Sequence, residues 1–260
     1  MPMLHTFKTI HLEEKNGVIT LSLNRPESHN SMNVEMLQEL SSAMEVVKDS
    51  TAKIVLLNGN GPVFSAGGDI KMMLQDDPQL FEEVMDSITN IVLTLYTIPK
   101  ITISALHGAA AGLGLSLALA SDYVYAHPST KIAMNFIKIG LIPDGAGHFF
   151  LKSRIGETKA KHLIWEGKTI TGEVAKDLLL VDEVAENLDK AISIKLEQLN
   201  SSPLQAMIET KSIYTSESSA ILKTILQLEK EGQRKMRQTK DHQEGIKAFL
   251  EKRAPNFKGE

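Results

Sequence analysis

The 260-residue chain contains no cysteine. Disulfides, thiolate nucleophiles and thiolate metal ligands are therefore excluded, while the redox compartment stays open. An excess of positive charge is also missing, since the formal net charge is -4 and the pI is about 6.1. Because no broad positive field attracts phosphate backbones, we expect no nucleic-acid partner and take a small molecule as the first hypothesis.

Long apolar runs are equally scarce. The N-terminal residues contain no apolar segment of signal-peptide length, which predicts a cytoplasmic location. The longest apolar stretch, residues 109–120, is too short to cross a bilayer and includes two glycines and a serine. We therefore expect no membrane association, and we interpret this stretch as a buried helix. The eight histidines show no spacing with carboxylates that is typical of a metal site.

The remaining composition, 42% hydrophobic and 23% charged, is that of a globular protein with one large domain, or one domain and an appendage. Alternating residues predict two strands joined by a tight turn at Asn16-Gly17. Asn33 and Asp77-Pro78 indicate helix starts. Because strands and helices then alternate, the fold class is α/β. The predicted strands cover residues 7–12, 18–23, 53–57, 101–106, 123–126 and 131–136.

The last sixty residues are predicted to be helical only. Their apolar positions form a stripe that must be buried, either against the chain's own core or against a neighbouring subunit. The basic run at residues 230–240 alternates with acidic and polar residues, which favours a solvated helix face. The stripe includes Ile221, Ile225, Leu228, Ile246 and Phe249.

Two glycine-bearing turns, at residues 64–71 and 107–114, each follow an apolar strand-like run and each open a helix-like stretch. The first amides of a helix have no acceptor inside the helix, and they favour an anion there. A pair of such turns can aim two backbone N–H groups at one oxygen. An acyl thioester that becomes an enolate offers such an oxygen.

Together with other motifs, these turns resemble the crotonase (enoyl-CoA hydratase/isomerase) superfamily, over about residues 6–258. The resemblance implies a spiral of repeated strand-strand-helix units in residues 1–198. It implies a C-terminal helical trimerisation region in residues 199–260, and a homotrimer or a hexamer of two trimers. The motifs are N-R-P (24–26), F-S-A-G-G-D-I (64–70), G-A-A-A-G-L-G (108–114), Asp122 and G-L-I-P (140–143).

Acyl-CoA is the ligand that this resemblance implies. Coenzyme A is then part of the substrate, and no separate cofactor is expected. The thioester oxygen is predicted to lie between the backbone amides of Gly68 and Leu113. A glycine usually stands where Leu113 does, so the leucine should narrow the acyl pocket. Further substrate contacts carried over from the family are Arg25, Ala66, Asp69 and Ile70, with Phe257 or Lys258 from a neighbouring subunit.

The catalytic positions depart from the hydratase pattern. The two glutamates that hydratases use align with Ser116 and Phe136, neither of which can perform carboxylate chemistry. We expect Ser116 to pack in the first turn of its helix and Phe136 to form the pocket wall, both at the substrate site. One acid remains, Asp144, and several superfamily members have an aspartate there that faces the acyl carbons. Residues 134–144 look particularly like the ring-epoxide phenylacetyl-CoA isomerases.

Asp144 also has a structural interpretation, because Pro-Asp-Gly before a helix is a good N-cap. The apolar residues nearby would raise its pKa, whereas a helix N-terminus would lower it, and the sequence does not rank the two effects. His148 follows four residues later on the same predicted helical face, which allows a polar pair with Asp144. His107 is interpreted as a turn residue.

The first functional hypothesis is a cytoplasmic acyl-CoA isomerase of fatty or aromatic acid catabolism, in which Asp144 carries a proton between two carbons. Three alternatives stay open. The chain could be an enoyl-CoA hydratase, and thus a lyase, with water held by Ser116 or the main chain. It could be an acyl-CoA hydrolase or dehalogenase with Asp144 as nucleophile. It could also be a catalytically silent relative that binds acyl-CoA or RNA.

Overall fold

The computed structural model describes residues 7–74 and 77–260. Residues 1–6, which include most of the segment behind the prediction on secretion, lie outside the described residues. The strands are β1 (Ile10–Lys15), β2 (Val18–Leu23), β3 (Ile54–Gly59), β4 (Ile101–Leu106), β5 (Ala109–Ala111), β6 (Tyr123–Ala126), β7 (Lys131–Ala133), β8 (Thr169–Ile170) and β9 (Glu183–Val184).

The helices alternate with these strands up to β9 and then continue alone, so the predicted α/β class is confirmed. Across the described ranges, no helix is both long and apolar enough to traverse a lipid bilayer. The helices are α1 (Val34–Asp49), α2 (Ile70–Met73), α3 (Pro78–Thr97), α4 (Leu113–Leu119), α5 (Gly147–Ile155), α6 (Glu157–Glu166), α7 (Gly172–Asp177), α8 (Leu188–Asn200), α9 (Leu204–Arg237) and α10 (Lys240–Leu250).

A six-stranded sheet with the order β1-β2-β3-β4-β6-β9 forms the first layer. Strands β1 and β2 are antiparallel, and each later neighbour is parallel. The predicted hairpin turn is confirmed, with φ of 52° at Asn16 and 75° at Gly17. Parallel neighbours require helical crossovers, which explains why α3 and α4 lie between successive strands of this sheet.

A second, smaller set of strands runs beside the first and completes the spiral. Strand β4 leads directly into β5, and β6 leads into β7, with β5 and β7 paired in parallel. In the preceding turn of the spiral, Ser65 forms a parallel bridge with Ala110, so the first glycine turn also pairs with this second set of strands. The strand-strand-helix repeat implied by the resemblance is therefore present, and it stacks the two glycine turns on each other.

The long helix α9 of the C-terminal region is bound to the large sheet by a buried lysine. The Lys211 Nζ donates to the carbonyl of Lys100 and to Asp122 Oδ2, both at 2.9 Å. Asp122 also accepts from the amide and the hydroxyl of Thr102. Because these ionic groups satisfy one another, the start of α9 can pack against the sheet with its apolar neighbours. Helix α8 packs on the same face of the sheet and ends at Asn200. The predicted boundary between the spiral (1–198) and the C-terminal region (199–260) therefore falls in the last turn of α8, and this division stays a prediction.

Several expectations differ from the structure. The first strand, predicted over residues 7–12, covers Ile10–Lys15, and the stretch 109–120, interpreted as a buried helix, forms β5 and then α4. The strand predicted to run to Phe136 ends at Ala133, where the Ala133 carbonyl accepts from the amide of Gly112. The chain then forms a short 3-10 turn over Phe136–Ile139. The apolar stripe is also divided. Ile246 is buried, whereas Ile221, Leu228 and Phe249 are exposed on this chain.

Gly108 is required by the close approach of two successive turns of the spiral. Its φ is +61°, and a Cβ there would lie 2.0 Å from the carbonyl oxygen of Pro62. We expect Gly108→Ala to lower the free energy of unfolding by about 3 kcal/mol or more, since strain and collision add. The matched control is Gly156→Ala, because Gly156 has φ of +76° with no atom within 4 Å of a Cβ. Urea unfolding should give the control a loss of only about 1 to 2 kcal/mol. Equal losses would contradict the collision.

Candidate active site

The two glycine turns lie in direct contact. A Cβ on Gly67 would come within 2.8 Å of the Ala111 carbonyl oxygen, and one on Gly114 would come within 2.6 Å of the Ser65 Cβ. The Ser65 amide donates to Ala109, and the Ala111 amide donates back to Ser65, each at 3.0 Å. The sequence places these turns about 45 residues apart, and the spiral brings them together.

The amides on either side of the two predicted donors are already occupied. Gly67 N donates to the Ser65 hydroxyl at 3.1 Å, Asp69 N donates to Met32, and Gly112 N donates to Ala133. For Gly68 and Leu113 themselves, no amide hydrogen bond is found within residues 7–74 and 77–260. Leu113 is the first residue of α4, where an amide has no acceptor inside the helix. Both amides are thus available to a ligand oxygen, and their joint action on one oxygen stays a prediction.

Arg25 and Asp69 form an ion pair beside the first turn. Arg25 Nη1 lies 3.3 Å from Asp69 Oδ2, and both side chains are largely buried. Asp69 also caps α2 by accepting from the amide of Lys71 at 3.1 Å. The pair borders a surface cavity of about 450 Å³. Ala66 is exposed next to it, and Ile70 is half-buried at the start of α2.

Phe257 and Lys258 lie apart from the turns in this chain. The Lys258 amide donates to Asp241 Oδ1 at 2.7 Å, which holds the C-terminal segment against the start of α10. Phe257, next to it, is exposed. The contact expected from these residues involves a neighbouring subunit, and it stays a prediction.

Ser116 and Phe136 line the inner side of the site. Both are buried, and the Phe136 ring lies 3.6 Å from the position of a Cβ on Gly112. Ser116 Oγ donates to the backbone carbonyl of Asp144 at 2.7 Å. The serine therefore anchors the segment that carries the acid.

Asp144 is buried beside α4. The two glycines that follow it pack closely, with Gly145 against Leu113 and Ser116, and Gly147 against Pro143, Ser116 and Met134. The side chain is 7% exposed, and Oδ1 has no hydrogen-bond partner among the described residues. The N-cap position of α5 belongs to Ala146, which has no side-chain cap, so the capping interpretation of Asp144 is wrong.

Burial raises the pKa of Asp144 to about 7, from an ordinary value of 3.8. The negative charge of Glu229 contributes to this rise in pKa, and the positive charge of Arg237 opposes it. From the sequence alone, the effects of burial and of a helix N-terminus on the pKa of Asp144 could not be ranked. The structure favours burial, because Glu229 accepts hydrogen bonds from the Ala146 and His148 amides at the start of α5.

Three polar residues of α9 face this segment, and none of them was predicted from the sequence. Glu229 is 2% exposed and Gln233 is 1% exposed, while Arg237 is partly buried. Gln233 Nε2 donates to the carbonyl of Ile142. The spacing of four residues puts all three on one helical face. A run of polar side chains at this period is the signal that could have found them.

Two related interpretations are corrected. The basic run at residues 230–240 is not uniformly solvated, because Gln233 is buried within it. His148 does not pair with Asp144, since α5 begins at Gly147 and leaves Asp144 outside the helix. Instead, His148 Nδ1 donates to Glu229 Oε1 at 2.7 Å. His107 is a turn residue as predicted, and its Nε2 lies 3.0 Å from the Gly61 carbonyl.

In the part of the chain that the structure describes, no group of three or more His, Asp or Glu side chains could hold a metal ion. The site combines backbone amides at two turns with one buried acid. This arrangement suits the binding of an oxyanion next to a carbon that exchanges a proton.

Comparison with known proteins identifies the family. The sequence profile described as enoyl-CoA hydratase/isomerase matches residues 13–260, and the chain belongs to that family. The Bacillus subtilis protein YhaR, a provisional enoyl-CoA hydratase/isomerase, is 53% identical over 246 residues, which cover 93% of this chain and 96% of YhaR. The 1,2-epoxyphenylacetyl-CoA isomerase of Escherichia coli is 36% identical over 258 residues, covering 96% of this chain and 97% of that enzyme.

Solved structures agree with the fold. The crystal structure of an enoyl-CoA hydratase from Mycobacterium avium subsp. paratuberculosis has a TM-score of 0.89 at 28% identity, and covers 97% of this chain and 100% of its own. Relatives carry hydratase names and isomerase names alike. The family is therefore established, and the choice of reaction depends on the site.

The raised pKa of Asp144 has a consequence for stability. Between its unfolded pKa near 3.8 and its folded pKa of about 7, the folded chain holds a proton that the unfolded chain releases. Stability therefore falls as the pH rises through this window, by up to about 4 kcal/mol from this group. The Asp144→Asn variant has no titrating group at this position, so it should not show this fall in stability with rising pH.

The measurement is urea unfolding of the wild type and Asp144→Asn from pH 4 to pH 8. We expect the variant to gain stability relative to the wild type as the pH rises, because other titrations cancel in the difference. A difference that stays constant with pH would show that Asp144 titrates alike in the folded and unfolded chain.

Proposed function

We propose that this chain is a cytoplasmic acyl-CoA isomerase that shifts a double bond within the acyl group. The observation that carries the proposal is one buried carboxyl group, Asp144, beside helix α4, which begins at Leu113 in the second glycine turn. The positions that align with the two hydratase glutamates hold Ser116, which binds the Asp144 backbone, and Phe136. Ordinary hydration lacks a carboxylate at both positions that hydratases use, whereas isomerisation needs one group that acts first as base and then as acid.

The proposed reaction balances without a cofactor. The Asp144 carboxylate takes a proton from C2 of a 3-enoyl-CoA, and the C–H electron pair passes into a dienolate. The amides of Gly68 and Leu113 donate to the thioester oxygen, which carries the charge. Asp144 then returns the proton to C4, giving the 2-enoyl-CoA. No electrons are lost, and coenzyme A takes part only as a portion of the substrate.

The pKa of Asp144 supports a proton carrier over a nucleophile. At a pKa of about 7, both protonation states are populated near neutral pH, which is what an acid and base in turn requires. A nucleophile acts only as the carboxylate, and burial disfavours that form. Turnover in heavy-oxygen water distinguishes the two, because only a covalent ester leaves label in the Asp144 peptide.

Asp144→Asn tests the proposal directly. The amide has the shape of the carboxylate but cannot carry the proton, so we expect kcat for a 3-enoyl-CoA to fall by about 10³. The assay follows formation of the 2-enoyl-CoA and, in parallel, of any 3-hydroxyacyl-CoA. Substrate affinity should change little, since the amides of Gly68 and Leu113 stay in place.

Asp177→Asn is the matched control, because it removes an exposed aspartate on α7. It should retain wild-type turnover. Unchanged turnover in Asp144→Asn would remove the proton-carrier assignment, and a 3-hydroxyacyl-CoA product in the wild type would favour the hydratase.

A homotrimer or hexamer is the assembly we propose for the chain. Tyr214, Ile221 and Leu228 repeat every seven residues along α9 and are 65%, 59% and 56% exposed. A seven-residue apolar repeat on one face of a helix is a pattern that packs against another element. No such cover is found among the described residues, which supports a neighbouring subunit.

Ile221→Glu should disrupt this assembly, because it places a charge in the middle of the stripe. Sedimentation velocity should give the wild type the mass of three or six chains and the variant a smaller one. Lys223→Glu, an exposed change on another face of α9, should keep the wild-type mass. A monomeric wild type would refute the assembly.

A further inference from the structure

The carboxylate of Glu229 is buried against the segment that carries Asp144. Its Oε2 accepts from the Ala146 amide at 2.7 Å, and its Oε1 accepts from the amide and Nδ1 of His148 at 3.1 and 2.7 Å. These three bonds fill the start of α5 from a helix that lies about 80 residues away in sequence. They restrict the backbone of residues 146–148, directly after Asp144.

Ala146 needs such a partner because its backbone is strained. Its φ is 61°, a left-handed conformation that L-residues other than glycine rarely adopt. Such a conformation persists where surrounding contacts fix it. Glu229 supplies a charge-assisted hydrogen bond to this residue's own amide, two positions after Asp144.

We propose that Glu229 is a positioning residue of the reaction, which fixes the Asp144 segment from the C-terminal helix and presents a negative charge to the acid. This inference rests on the proposed role of Asp144 as proton carrier. It adds to that role a second acid, which touches no substrate and acts through Asp144.

The charges around Asp144 are few and have opposite effects. Glu229 and Arg237 lie on the same face of α9, two helical turns apart, and the first raises the pKa of Asp144 while the second lowers it. Arg237 Nε is buried without a hydrogen-bond partner among the described residues. From α5, His148 is the titratable group that faces Glu229. Lys230, the next residue on α9, is turned towards Glu82 and Asp86 of α3.

The decisive experiment measures the titration of the Asp144 carboxyl in the free protein. Carbon-13 NMR of aspartate-labelled protein gives the signal, and Asp144→Asn assigns it. The variants are Glu229→Gln, Glu229→Asp, Arg237→Gln and, as matched control, Glu231→Gln, an exposed glutamate on the same helix.

Glu229→Gln should move the Asp144 midpoint to lower pH by about one pH unit, because a like charge is lost. Arg237→Gln should move it to higher pH, and Glu231→Gln should leave it unchanged. A purely structural role for Glu229 would not lower the Asp144 midpoint when only its charge is removed. An unchanged or higher midpoint in Glu229→Gln would overturn the proposal.

Glu229→Asp separates position from charge and covers the case in which Glu229→Gln does not fold. The shorter side chain keeps the negative charge but cannot reach both amides. We expect kcat for the 3-enoyl-CoA to fall about tenfold with little change in the Asp144 midpoint. Wild-type kcat in Glu229→Asp would overturn the positioning role.

The two proposals fail in different ways. Full turnover in Asp144→Asn would remove the proton-carrier role, whatever the NMR titrations give. Loss of turnover in Asp144→Asn, together with an Asp144 midpoint that ignores Glu229, would keep the isomerase and remove only the inference on Glu229.

Discussion

The site depends on the exclusion of water from a single carboxyl group. Asp144 is buried, next to a glycine that packs against Leu113, and one of its oxygens has no hydrogen-bond partner among the described residues. A carboxylate in such a place loses hydration that no protein donor replaces, which favours the neutral form. The rest of the site follows from this cost. Ser116 and Glu229 both bind the backbone around the acid and leave its side chain free to exchange a proton.

The proposed oxyanion donors depend on a different constraint, the close approach of two successive turns of the spiral. Gly108 and Gly67 allow this approach because side chains there would collide with backbone atoms. The amides next to Gly68 and Leu113 are occupied by the Ser65 hydroxyl and by the carbonyls of Met32 and Ala133. In the proposed site the donor at position 113 is a backbone amide, which is present whatever the side chain, so a leucine is compatible with that role.

Local signals in the sequence predicted much of the fold, and the site only in part. The Asn33 cap, the Asp77-Pro78 helix start and the glycine turns each depend on a few adjacent residues, and the structure contains all of them. Asp144 was found from the resemblance, yet its surroundings were not. Glu229 and Gln233 lie more than 80 positions downstream, and on a helix of mixed charge their burial depends on tertiary packing. Ranking the effects of burial and of the helix N-terminus on the pKa of Asp144 also required the position of Glu229, which depends on the tertiary structure.

Helix α9 joins three regions of the molecule along its 34 residues. Lys211 binds one end to the sheet, Glu229 binds the other to the segment that follows Asp144, and the exposed repeat of Tyr214, Ile221 and Leu228 lies between them. A rigid rod of about 50 Å cannot be displaced in its middle without movement at its ends. In the proposed assembly, a neighbouring subunit that packs on this repeat would contact the same helix that carries Glu229, and it would thereby act on the proton affinity of Asp144.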